Sequence, residues 1–70
     1  MSHKILVSTK TMEKIMQTPK HGIRTLLLAT KGLKLGQQVV LREETKGNEV
    51  CAEVIALNGD YEVTLLRGGI

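Results

Sequence analysis

Aromatic side chains are almost absent from this chain: Tyr61 is the only one, with no Phe and no Trp. Its core must therefore be assembled from Val, Ile, Leu, Met and Ala. Base stacking, the usual grip on single-stranded nucleic acid, has a single ring to draw on. The one cysteine, Cys51, excludes an internal disulfide and agrees with an expected cytoplasmic location. His3, His21 and Cys51 stand far apart with no CxxC or HxxxH spacing, which gives a zinc site little support. The phosphate-cradling GxxxxGK[ST] pattern is also missing, so no cofactor is expected. No apolar run approaches the roughly 20 residues of a membrane span. Ile5-Leu6-Val7 is too short for the apolar region of a secretory leader, and no membrane partner is expected.

What is present suits one folded domain over 1–70. A hydrophobic fraction of 41% is ordinary for a globular protein. A chain this short buries only about 60% of its unfolded surface, so its stability margin is thin and either a monomer or a homodimer is expected. The net charge of +3 is unevenly spread. Residues 1–34 carry seven basic side chains against Glu13 alone, whereas 35–70 carry three against six acids. A basic half points to an anionic partner, usually nucleic acid; a solvated surface of no functional meaning is the alternative.

Hydrophobic periodicity outlines the elements. A short β-rich run at 4–7 leads to a hydroxyl N-cap at Ser8 or Thr9. Met12, Ile15 and Met16 follow at helical spacing, and Pro19 ends the helix. Gly22 precedes an apolar run, 23–29, that is either a buried central strand or a helix segment, the strand being favoured because the run is short and bounded by Gly22 and Gly32. A glycine-punctuated loop, 31–37, follows. Strands are expected over 38–44 and 49–57. In the latter, Val50, Ala52, Val54 and Ala56 share one face, and Cys51, Glu53, Ile55 and Leu57 share the other. Asn58-Gly59 is expected to form a two-residue type I′ turn into a last strand over 60–66. The expectation is an α+β fold: a five-stranded, mostly antiparallel, barrel-like sheet with one short helix after the first strand.

Three segments carry a resemblance: Lys20-His21-Gly22-Ile23-Arg24-Thr25, the stretch Leu33-Lys34-Leu35-Gly36-Gln37-Gln38-Val39-Val40-Leu41, and Cys51-Ala52-Glu53-Val54-Ile55-Ala56-Leu57. They correspond to "GxKxxExR", "xKxGDxVxL" and "xxAxVxxV", and together the chain resembles an ASCH domain of the PUA-like superfamily over about three quarters of its length. The resemblance implies a β-barrel whose basic cleft binds RNA or a modified nucleoside, and some members hydrolyse acylated cytidine with a lysine, a threonine and a glutamate. Here Arg24 falls at that lysine, and arginine stays protonated and cannot act as a base. The expected glutamate and arginine fall among Leu27, Leu28 and Ala29, and Gln37 replaces the aspartate. Under this alignment binding survives and the catalytic set does not.

The residues themselves lead to a compatible reading. Cys51, mid-strand among apolar neighbours, is expected to be inert core, and His3 a solvated terminal histidine. Adjacent strand residues point to opposite faces, so Glu43 and Glu44 are not a catalytic pair. Glu53 is expected to pair with Arg42 or Arg67 across the sheet. Lys20, His21, Arg24, Lys31 and Lys34 form the candidate nucleic-acid-binding set, the cations meeting phosphates and His21 assisting. RNA is favoured over DNA as partner. A protein-interaction module or inhibitor docking on a larger enzyme, marked by an exposed apolar edge such as Leu26-Leu27-Leu28, is the main alternative. A swapped-hairpin DNA-binding dimer and a nucleoside amidohydrolase complete the set.

Overall fold

In the computed structural model, which describes residues 3–68, the chain runs β1 (His3–Val7), α1 (Thr9–Gln17), β2 (Ile23–Leu26), β3 (Gln38–Glu43), β4 (Glu49–Asn58) and β5 (Glu62–Arg67). The strands form one mixed sheet in the order β1-β3-β4-β5-β2. β1 is parallel to β3, and the other neighbours are antiparallel. The α+β class, the strand number and the helix after the first strand are as expected. The barrel is not: β1 and β2 are the two edges of an open sheet, and each finds its ladder partner on one side only. The helix that joins them carries the chain from one edge to the other and fills the inner face.

Alternation decides what that face buries. Val39 and Leu41 of β3, Val54 of β4, and Val63 and Leu65 of β5 pack beneath Met12 and Ile15 of α1. Ser8 starts the helix by accepting the Thr11 N–H at 3.2 Å. Met16, placed by spacing on the same stripe, is 49% exposed. The buried arc runs from Met12 through Ile15 to Thr18, and Met16 is turned about 100° from Ile15. Glu43 is buried where Glu44 is exposed; its carboxylate accepts from the Asn48 side-chain amide at 3.0 Å, closing the turn before β4.

Four local expectations are corrected. Ile55 is a bulge: Val54 pairs with Leu65 but Ala56 pairs with Thr64. The extra residue reverses the alternation, so Ala56 faces out and Leu57 packs against the core. Cys51 is exposed rather than core, because its row, opposite Val40, lies on the outer face, which no second layer of the described residues covers. Glu53, also on that face, accepts from Gln38 at 3.2 Å; Arg42 is taken by Glu49, and Arg67 lies on the inner row opposite Ala52. Asn58 remains in the strand opposite Glu62, so the hairpin loop is the three residues 59–61, with Gly59 at φ +63.

β2 stops at Leu26 rather than reaching Ala29. Leu26 is core, Leu28 packs against the core and Leu27 is exposed, so the three leucines make no continuous apolar edge. Residues 27–37 then cross to β3. Thr30 ties them to the β4–β5 hairpin, its N–H donating to Asp60 O at 2.9 Å and its hydroxyl to Gly59 O at 2.8 Å. Leu33 inserts into the core.

One side chain joins the layers. Arg67 donates from Nη1 to the carbonyls of Met16, at 3.0 Å, and Thr18, where α1 has run out of helical donors. Its backbone pairs with His21 and Gly22 at the start of β2. Replacing Arg67 by Ala leaves those carbonyls without their donor. It is expected to lower the urea midpoint by an amount worth about 1–3 kcal/mol at unchanged m-value. A variant as stable as the parent would contradict this role.

Candidate nucleic-acid interface

The first candidate loop is a four-residue turn, 19–22, closed by the Gly22 N–H donating to Pro19 O at 2.8 Å. A Cβ on Gly22 would stand 2.8 Å from that same oxygen, so only glycine fits the fourth position. His21 occupies the third with φ +66, the one non-glycine positive φ among the described residues. Turns that need a positive φ there take Gly or Asn as a rule. His21 is held in place by donating its N–H to Arg67 O at 2.9 Å. Lys20 beside it is exposed, and Arg24, two residues into the turn's outgoing strand, is half-buried on the inner row opposite Leu65.

The second loop carries Lys31 and Lys34, both exposed, on either side of buried Leu33. Leu33 donates its N–H to Thr30 O, and Lys34 donates its N–H to the Gln37 side chain at 3.0 Å. The apolar plug thus fixes where both ammonium stems leave the surface. The five candidates do not converge on one spot. Lys20 and His21 lie where β2 begins, beside Arg67; Lys31 lies beyond its other end, beside the β4–β5 hairpin.

They do share a layer. The helix and the connection 27–37 cover the inner face and carry Lys10, Lys14, Lys31 and Lys34 against Glu13; Lys20 in the turn 19–22 and Arg24 on the inner row of β2 bring the cations to six. Among the described residues the ion pairs are Lys4–Glu49 at 3.2 Å and Arg42–Glu49 at 2.9 Å, both on the outer face. The hydrogen bond from Arg42, and then that from Lys4, holds the Glu49 carboxyl below the usual glutamate range. The sequence asymmetry becomes two-sidedness: charges on the outer face are compensated, and those on the helix side are not. Such a surface attracts phosphates.

Sequence reasoning passed over a groove of about 420 Å³ between the two tied loops, lined by Ala29, Thr30, Lys31, Asp60 and Tyr61. The alternating pattern puts Tyr61 in a strand, whereas the three-residue hairpin loop leaves its ring free, 71% exposed. Among the described residues no cluster of three His, Cys, Asp or Glu side chains could hold a metal. Among those residues no helix is long and apolar enough to cross a membrane. No family model, curated protein or solved structure matches the chain.

His21 offers a direct probe of the first loop. Glycine adopts its backbone geometry without the cost of a Cβ, about 1 kcal/mol, partly offset by chain entropy. His21→Gly is therefore expected to keep or slightly raise the thermal midpoint, and to weaken oligonucleotide binding if this candidate loop is where the chain meets nucleic acid. A stable variant with unchanged binding would remove His21 from the interface.

Proposed function

We propose that this chain is a small nucleic-acid-binding module that uses the helix-side loops at Lys20–Arg24 and Lys31–Lys34 and performs no chemistry of its own. One observation carries the reading: among the described residues the helix-side cations have no acidic partners, while Lys4 and Arg42 of the outer face do. Uncompensated lysines and an arginine on one layer give the sequence-independent attraction that backbone contacts require. The three segments resembling an ASCH domain of the PUA-like superfamily place RNA ahead of DNA. Lys20 and Lys34 are the strongest phosphate contacts, being exposed on loops whose backbones are fixed by hydrogen bonds. Arg24, half-buried at the sheet edge, and His21 assist at the first loop.

A second reading, a protein-docking module, is favoured by the outer sheet face. There Leu6 and Ile23 are 65% and 62% exposed, beside half-buried Val40 and Leu66.

Fluorescence anisotropy of labelled single-stranded RNA separates the two. Affinity is expected to fall steeply with salt. Charge reversal at Lys20→Glu and Lys34→Glu together is expected to weaken binding and to flatten the slope of log K against log salt by about 1.4, two single-strand phosphate contacts. Equal affinity and slope for the folded double variant would overturn the assignment.

A further inference from the structure

We propose that the groove between the β4–β5 hairpin and the connection 27–37 is a nucleotide subsite, in which a nucleobase stacks on Tyr61, an exocyclic amine of that base donates to Asp60, and the attached phosphate meets Lys31. This deepens the nucleic-acid reading above and rests on it. The first support is where the chain has spent its only aromatic ring. A domain of this size is short of apolar burial, yet Tyr61 is left 71% exposed at a hairpin apex instead of filling the core. An exposed ring beside a cation is the arrangement by which single-stranded nucleic acid is held without reading its sequence.

The second support is rigidity. The two bonds from Thr30, to Gly59 O at 2.8 Å and to Asp60 O at 2.9 Å, fix the loop bearing Lys31 against the loop bearing Tyr61. The ring and the ammonium group thus face a ligand with their backbones already set. The third is charge: Lys31 and Asp60 line one groove and neither takes part in an ion pair among the described residues. Both remain available to a ligand with an anionic and a donor end. A volume of about 420 Å³ lies in the range of small-molecule sites and accommodates a nucleoside monophosphate. The Asp60 carboxylate repels a second phosphate at its own side, which sets the ligand's direction: base towards Asp60, phosphate towards Lys31.

With one tyrosine, no Phe or Trp, and two histidine imidazoles as the other rings, proton NMR of the full chain reads this groove almost alone. Titration with AMP or CMP is expected to move the Tyr61 ring protons upfield. UMP, which lacks the exocyclic amine, requires a higher concentration for the same movement, and ribose 5-phosphate, which lacks the base, leaves the ring where it was. No movement with any nucleotide, or equal movement with ribose 5-phosphate, would overturn the subsite. On single-stranded RNA, Tyr61→Ala is expected to weaken binding by roughly tenfold and Tyr61→Phe to preserve it. If RNA binds tightly and Tyr61→Ala binds equally well, the subsite falls and the basic-loop reading stands. If RNA fails to bind while AMP still shifts the ring, the basic-loop reading falls and the groove is a site for free nucleotides.

Discussion

The geometry of this domain depends on how the end of its one helix is held. α1 has nine residues, too few to persist in water without tertiary support. Met12 and Ile15 attach its middle to the sheet; its C-terminal carbonyls are held by Arg67 from the far end of the chain. The same residue's backbone pairs with His21 and Gly22, so the helix end, the tight turn and the start of β2 are all referred to one point on β5. The Lys20–His21 loop has its position because of that anchorage. An arginine suits the task, since its planar donors reach several carbonyls and its charge does not depend on pH.

Sequence patterning revealed the elements where period and punctuation agreed. The hydroxyl N-cap, the proline stop and the alternating strands β3 and β5 all fold as their residues dictate. The failures share a cause, which is that a period describes a face and says nothing of what covers it. Cys51 has apolar neighbours in sequence, but the sheet has one covered face and Cys51 is on the other. The bulge at Ile55 leaves no local signature, because the extra residue is β-branched and apolar like the strand around it. Closure of the sheet into a barrel depends on whether the edges β1 and β2 meet, which is a long-range relation that strand spacing does not encode.

The candidate site can be compared with the sequence only as a charge pattern. Charge counts along the chain correctly divided a basic half from an acidic one, and that division appears in the fold as a helix side and an outer side. Whether Lys20, His21, Arg24, Lys31 and Lys34 lie together was beyond the sequence, since the length and direction of β2 set the distance between the two loops and hold them at its opposite ends. Asn58-Gly59 hid the groove, because reading it as the whole turn places Asp60 and Tyr61 in a strand. The positive φ at His21 had no sequence marker either; histidine is simply not the residue that such a turn selects on its own. A strained, exposed position maintained by a hydrogen bond to Arg67 is the kind of local cost that functional loops retain.

The central claim is that one layer of the molecule meets nucleic acid and the other does not. Amide chemical-shift mapping of the isotope-labelled chain with a single-stranded RNA oligonucleotide tests it residue by residue. The account predicts perturbations confined to 20–24, 30–37 and 59–61, fading as salt is raised, with the outer rows through Leu6, Val40, Cys51 and Leu66 unmoved. Perturbations centred on those outer rows, or none at low salt, would contradict it.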